Sequence, residues 1–551
     1  MSAPLSSDPS PPALAVDYYR TNFLTLIHTV QAQYDDLLTP DEREWLITFL
    51  ALPLNSQCLY LRLLTRKGPL FRLYKLDYDE IPDRDVAAQH LADAGFIHFA
   101  LTDFPLAQIC ALFTKPELLQ RFSCLHALKQ ATKPRLVERL SEHPITFTDF
   151  HEPLFAICHS EHLQVFLLLF FGNSHQDLSQ FVLAELGRQT FEQYPLDRQH
   201  RFFHERQHIE DWLSLSQLND AYWQAKTQRD TDAICALVPR LPPAFTWVPL
   251  ENKRQTLINH LARDLERHAG DCPMLQQQAL SLFRQSQRPP SRERQVRLLE
   301  KQHQLTSALT LTKDMLSPPF HEDETDVAHI LFKRLAKKKG ESIPACRPFS
   351  PNEIHLKLTA QSARVETCVA DYFQQHNWEA HYVENHLMCG LFGLAFWDII
   401  YTPIAGAFLN PYQRSPRDMF TPEFYLRRKQ AINHRLHAIE HAQWNEWLTV
   451  YQKKGGIGND WVHWSALNEE LIKRSIEIIP THALRMIFER MVFDPKNNRS
   501  GFPDLILFNK QQYCWVEVKG PGDTLQRNQM RWLSHFEQYG IPAKVAYVTW
   551  V

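Results

Sequence analysis

Asp504, Glu517 and Lys519 are the residues whose types and spacing point most directly to chemistry. Asp504 follows Pro503 at the head of an apolar run, Leu505-Ile506-Leu507-Phe508. After the polar turn Asn509-Lys510-Gln511-Gln512, a second run leads through Tyr513-Cys514-Trp515-Val516 into Glu517-Val518-Lys519. Two such runs joined by a short polar turn predict a β-hairpin. Residues two apart in a strand share a face, so Glu517 and Lys519 project together, and Asp504 at the mouth of the preceding strand can meet them. Carboxylates set among apolar side chains are costly unless something partners them. A hard divalent cation, Mg²⁺ or Mn²⁺, suits such oxygens, and the Val518 carbonyl adds another if the strand edge is open there. An ion held in this way acts as a Lewis acid and activates water against a phosphate ester, with Lys519 to orient that water or offset developing charge. Glu-x-Lys alone is usually a surface pair; its combination with the hairpin carries the reading.

The loop Gly520-Pro521-Gly522-Asp523 follows, with Asp523 placed to cap a helix and Gln526 as its capping partner. Gln529 and Trp532 then fall on adjacent turns, so Gln529 is a candidate to hydrogen-bond into the site.

The rest of the chain must position this cluster. Its 551 residues exceed one core and suggest about three or four domains. A composition of 44% hydrophobic and 22% charged residues is that of a globular protein, so disorder is disfavoured. The net charge of -3 does not announce a nucleic-acid binder, so any DNA affinity must come from local basic patches. No Gly-Lys-Ser/Thr phosphate loop or G-x-G-x-x-G fingerprint occurs, which disfavours ATP and NAD chemistry. The ten cysteines form no C-x-x-C pair, so neither a structural zinc site nor a disulfide framework is indicated. No signal peptide is visible in MSAPLSSDPSPPALAV. No apolar run approaches the roughly 20 residues needed to cross a bilayer. The chain therefore reads as soluble and intracellular.

From about Tyr18 to Leu316 apolar residues recur at helical spacing between proline breaks, which predicts a helical array. Within it Arg66-Lys67-Gly68-Pro69-Leu70-Phe71-Arg72-Leu73-Tyr74-Lys75 mixes basic and aromatic residues. Short helices are expected from Phe104 to Pro144, among them one opening at Lys133-Pro134-Arg135, where proline suits a first turn. From about Glu152 to Lys338 helix pairs of similar length suggest a solenoid without a strict period. Basic runs at Arg288–Arg297 and Lys333–Lys339 are candidate DNA contacts, though such runs are usually solvated faces. The polar stretch Pro344–Pro351 marks a domain boundary.

Pro503-Asp504, Glu517-Val518-Lys519-Gly520-Pro521, Asp523, Leu525, Gln529 and Trp532-Leu533 together resemble the virus-type replication-repair nuclease (VRR-NUC) domain of the PD-(D/E)xK superfamily. Val365-Glu366, Trp378, His381-Tyr382-Val383-Glu384-Asn385 and Leu391-Phe392-Gly393-Leu394-Ala395-Phe396-Trp397-Asp398-Ile399-Ile400 extend the likeness to the Fanconi-associated nuclease family, in its bacterial form, along nearly the whole chain. The resemblance implies a predominantly α, multidomain chain. Its expected parts are an N-terminal helical DNA-binding region (1–75), a SAP-like module (76–150), a TPR-like region (151–345) and an α/β restriction-endonuclease-like domain with a helical insertion (346–551). Phe170-Phe171-Gly172-Asn173 and Leu178–Leu183 are similar to the TPR-like part.

The resemblance also assigns roles. Glu384 becomes a metal ligand beside Asp504, Glu517 and the Val518 carbonyl, with Lys519 catalytic, whereas Glu384 read alone is an ordinary solvated glutamate. Glu366 on the first helix competes for that place and ranks below it. His381 is a candidate to orient the site or contact phosphate; His381 and His386 without cysteines are not read as a zinc cluster. Arg66, Lys67, Arg72, Lys75, Lys133, Arg135, Arg427 and Arg428 are candidate DNA contacts. Asn385 stands where eukaryotic members carry glycine, so the resemblance does not define the loop beside Glu384. The eukaryotic ubiquitin-binding zinc finger has no counterpart, so ubiquitin is not an expected partner.

The implied function is structure-selective hydrolysis of branched double-stranded DNA, as a 5′-flap endonuclease and 5′-to-3′ exonuclease in interstrand crosslink repair. The protein is expected to be a monomer, cytoplasmic and nucleoid-associated if bacterial and nuclear if eukaryotic. A non-catalytic branched-DNA scaffold and a junction resolvase, normally a symmetric dimer, are the alternatives. Metal-dependent turnover separates the first; relative rates on flap and four-way junction separate the second.

Overall fold

The structure, a computed structural model, describes residues 16–66, 68–173, 190–270, 272–341, 349–360, 362–443 and 445–551. It divides into two compact units, residues 1–188 with 196–206, and residues 189–195 with 207–551. Among the described residues no helix is long and apolar enough to cross a membrane. Residues 342–348, which hold most of the expected boundary, lie outside them, as do Leu178–Leu183 and Lys67.

The first unit opens with helices α1 (Tyr18–Tyr34) and α2 (Pro40–Ala51). Thr39 and Glu42 form a reciprocal capping box on α2, and Pro40 stands in its first turn, so the sequence fixes where that helix begins. Phe23, Trp45, Phe49, Tyr60 and Phe96 pack ring on ring at the core. A three-stranded antiparallel sheet departs from the all-helical expectation. It consists of β1 (Leu70–Arg72), β2 (Ile97–His98) and β3 (Leu154–Ile157), in the order β1-β3-β2. Strands of two to four residues are too short for alternation to register against a helical background. Short helices between residues 101 and 150 gather around Ile109, Phe113, Leu118, Leu136 and Phe150. One of them, α3 (Lys133–Ser141), carries Pro134 in its first turn as expected. Helix α4 (Ser160–Phe171) follows β3.

This unit corrects one DNA-contact expectation. Arg72 has a side chain only 9% exposed; it lies 2.5 Å from Glu152 and 2.8 Å from Glu117 and stacks on Phe113. It is a buried cross-link and is not available to phosphate. Lys75 and Arg135 remain exposed, Arg135 beside Glu138, while Lys133 donates to the Ala111 carbonyl. Arg66 is exposed over the Tyr78 ring.

In the second unit consecutive helices pack on one another up to α5 (Glu322–Lys339). Their lengths run from 7 to 23 residues, so the expected pairs of similar length give way to an irregular array. The basic runs are largely neutralised. Arg288, Arg292, Arg294 and Arg297 pair with Glu423, Glu324, Glu266 and Glu293, and Arg334 and Lys338 with Glu300.

A five-stranded sheet then forms from β4 (Glu353–Leu358), β5 (Glu379–Tyr382), β6 (Leu505–Asn509), β7 (Gln512–Lys519) and β8 (Ala543–Trp550). Its order is β4-β8-β7-β6-β5. The β6–β7 hairpin is antiparallel and β7–β8 parallel. Helix α6 (Val365–Gln375) covers one face over Leu505, Leu507, Val516 and Val518. Helix α9 (Arg527–Gln538) covers the other, where Phe536 stacks on Trp515. Between β5 and β6 lies a mostly helical insertion that includes α7 (His386–Ala395) and α8 (Pro422–Glu440). The expected basic patch on α8 is corrected here. Arg428 is 4% exposed, paired with Asp418 at 2.9 Å and donating to the Ile399 carbonyl, and Arg427 shares the same carboxylate at 3.0 Å. These charges hold the insertion together, whereas the neighbouring Lys429 is exposed.

Candidate active site

The hairpin delivers its three residues to one place. Leu505 pairs with Val516 as the last rung between β6 and β7, so β7 runs on through Glu517, Val518 and Lys519 without a neighbour on that side. Asp504 fills the gap: its Oδ2 accepts the Val518 N–H at 2.8 Å. A strand residue's N–H and C=O leave the same side, so the Val518 carbonyl also faces the vacated edge. The open edge that its candidacy required is present.

Three constraints place Asp504. Its own carbonyl accepts from the Val383 and Glu384 amides at 2.9 and 3.0 Å, tying the end of β5 to the start of β6. Upstream, Gly501 takes φ +91°, and a Cβ there would stand 2.8 Å from Asn528. Only glycine lets this loop press against the helix α9 (Arg527–Gln538). Phe502 then stacks on the buried Trp532 with centroids 4.0 Å apart.

Helix α9 supplies the other wall. The cap differs from expectation: Gln526 is the N-cap residue, and its backbone N–H donates to Gln529 Oε1 at 2.9 Å. Asp523 instead turns back to accept the Gly520 N–H at 2.9 Å. Gln529 reaches into the site as expected and bridges it. Its Nε2 donates to Glu517 Oε1 at 2.6 Å and its Oε1 accepts from Lys519 Nζ at 3.0 Å. Lys519 Nζ also lies 2.9 Å from Glu517 Oε1. Glu517 is 1% exposed and Lys519 7%.

The remaining Glu517 oxygen, Oε2, is buried and receives no donor. Burial first, and then the charge of Asp504, lift the Glu517 carboxyl to about 8, against the pull of Lys519. Burial likewise lifts Asp504 to about 6; the Val518 N–H and Lys519 lower it, while Glu366 and Glu384 raise it. A buried carboxylate and a half-buried one that repel each other and share one lysine are short of positive charge. A divalent cation would supply it, and the all-oxygen donor set fits Mg²⁺ or Mn²⁺.

Glu384 sits at the rim, with its backbone in the left-handed region at φ +38°. Asn385, in the ordinary helical region, donates to Glu384 Oε1 at 3.1 Å and accepts the Phe502 N–H at 3.2 Å. The strain thus falls on Glu384 itself, and Asn385 links it to the loop carrying Asp504. Glu366, in the first turn of α6, also faces the group, and its repulsion of Asp504 ranks above that of Glu384. His381 is not drawn in: its partners are Glu379, at 2.7 Å, and the edge of Phe508. The sequence reading missed Tyr382. Its hydroxyl donates to Glu384 Oε2 at 2.9 Å while half the residue stays exposed. An aromatic residue two places before a candidate ligand, at the end of a strand, was the available signal.

The family model "FAN1, HTH domain" matches residues 17–98, and the VRR-NUC domain model matches residues 440–550. The second match covers β6, β7, α9 and β8; the sheet is completed by β4 and β5 from farther upstream. The chain is 33% identical to the Fanconi-associated nuclease 1 homolog of Pseudomonas aeruginosa, over 97% of its own length and 96% of that relative. It is 23% identical to human Fanconi-associated nuclease 1, over 96% of its own length but only 62% of the human protein. Among solved structures, paFAN1 bound to 2nt 5′-flap DNA with a gap superposes with a TM-score of 0.79 at 32% identity, covering 98% of this chain and all of that one. An end-to-end likeness at this level of identity is not confined to the catalytic sheet: this chain belongs to the Fanconi-associated nuclease 1 family and is a nuclease.

Proposed function

We propose that the chain hydrolyses phosphodiester bonds of branched DNA with Mg²⁺ or Mn²⁺, cutting near 5′ flaps and degrading from 5′ ends, in interstrand crosslink repair. The observation that carries this reading is the pairing of Asp504 with the buried Glu517, one of whose oxygens has no donor. The likeness to a relative whose solved structure holds a 5′-flap duplex supports the substrate class. Glu384, Asp504, Glu517 and the Val518 carbonyl would hold the ion, which when bound supplies Lewis acidity toward the scissile phosphate.

The protein groups do the rest. Gln529 fixes Lys519 against Glu517, so the ammonium is presented at the reacting centre without having to be ordered during the reaction. Its charge offsets the negative charge that develops on the phosphorane, and its N–H groups orient the attacking water. Tyr382 holds Glu384 from the solvent side. Exposed cations of the first unit, Lys75 and Arg135 among them, bind backbone phosphates, so branches are recognised by shape and not by base sequence. The active species is a monomer.

Initial rates on a 5′-flap duplex and on a four-way junction, with Mg²⁺ and with chelator, test the proposal. Faster cleavage of the flap, abolished by chelator, is expected. Tight binding without turnover would leave a scaffold, and preference for the junction would leave a resolvase.

A further inference from the structure

A second group of metal-type donors lies in the first unit, apart from the residues of the nuclease site. His159, Glu161 and His162 surround the opening of α4, and one ligand atom from each lies within 4.8 Å of the others. The two imidazole planes are 1° from parallel with centroids 5.6 Å apart. His159 Nδ1 stands 3.7 Å from a Glu161 oxygen. The three side chains line a cavity of about 470 Å³ together with Asp41 and Glu44 of α2, over the buried rings of Trp45 and Phe96.

The character of the ligand follows from the donors. The start of a helix ordinarily attracts anions. Here Glu161, Asp41 and Glu44 bring three carboxylates to the same cavity and repel them. Those carboxylates also offset the positive end of the helix dipole, which would otherwise oppose a cation. Two imidazoles with a carboxylate suit a borderline ion of the Zn²⁺, Co²⁺ or Ni²⁺ type, whereas Mg²⁺ prefers oxygen throughout. The lack of paired cysteines has no bearing on a site built from imidazoles.

We propose that His159, Glu161 and His162 bind one zinc-type divalent ion, in the cavity that the α2 carboxylates Asp41 and Glu44 also line. This site does not depend on the nuclease reading. It differs from the hairpin site in donor type, and that difference makes it separable.

Co²⁺ is the probe, added to the full-length chain in a large excess of Mg²⁺ that occupies the hard-oxygen site. Equilibrium dialysis should retain one Co²⁺ per chain, with the visible absorption of a nitrogen-ligated ion. His162→Asn should weaken retention by roughly tenfold or more, a scale reached even by outer-shell changes. Glu161→Gln should weaken it in the same sense, and Asp504→Ala should leave it unchanged. All three donors lie at the surface or half-buried, so their variants keep the fold. Complete displacement of Co²⁺ by Mg²⁺, or equal retention by wild type and a His159→Asn/His162→Asn double variant, would overturn the proposal.

Discussion

Replacing Glu517 by glutamine should stabilise the ion-free nuclease sheet at alkaline pH and abolish its response to divalent ions. Glutamine keeps an oxygen for Lys519 and offers an amide donor where Glu517 Oε2 has none. The size of the effect follows from the site. At about 1.4 kcal/mol per pH unit, lifting the carboxyl from 4.5 to about 8 makes ionisation in the folded, ion-free site costly by on the order of 5 kcal/mol. A carboxyl raised on folding contributes fully below about pH 4.5, and the contribution is lost as the pH climbs through 8. Wild type and Glu517→Gln should therefore differ least near pH 5, and the gap should widen up to pH 8 in favour of the variant. Hydrogen exchange of β7 peptides after chelation reads this locally, since it follows the opening of one element and not of the whole chain. Mn²⁺ should restore wild-type protection and leave the variant unmoved, with wild-type affinity rising with pH as protons are displaced. Parallel pH profiles for the two chains would refute the claim that Glu517 carries a buried, under-neutralised charge.

Tyr382→Phe, which removes only the hydroxyl that donates to Glu384, should weaken Mn²⁺ binding severalfold while flap binding by the chelated protein is unchanged; isothermal titration and fluorescence anisotropy measure the two. Gln529→Leu frees Lys519 from its second anchor and should lower kcat by about 10- to 100-fold with little change in KM, in single-turnover and steady-state cleavage assays. Arg72→Ala removes the cation shared by Glu152 and Glu117 but leaves Arg121 on the first and Lys75 near the second, so by denaturant titration it should cost about 1–3 kcal/mol of first-unit stability while leaving the salt dependence of DNA binding unaltered.

The hairpin was legible in the sequence because two continuous apolar runs about a short polar turn mark both strands, and the two-residue repeat of a strand puts Glu517 and Lys519 on one face. Gln529 was legible from helical spacing alone. Glu384 was not: a glutamate in a polar turn carries no local mark, and its meeting with Asp504 spans an insertion of more than a hundred residues, so only the family likeness pointed to it. Asp523 misled because the same residue type caps a helix or closes a loop on itself, and here the Gly520 amide lies nearer than the helix. Arg72 and Arg428 misled for a different reason. A basic run reads as surface until its carboxylates are known, and Glu152 stands 80 residues from Arg72. The small sheet of the first unit is held by pairing across the chain, between strands too short to carry a period.

Cleavage of DNA is proposed to require an ion held by the carboxylates around the hairpin. Asp504→Ala tests it most directly, in a Mg²⁺- or Mn²⁺-dependent cleavage assay on a labelled 5′-flap duplex with binding measured in parallel. Cleavage should be abolished while the flap is still bound; cleavage at the wild-type rate would contradict an ion-holding role for Asp504.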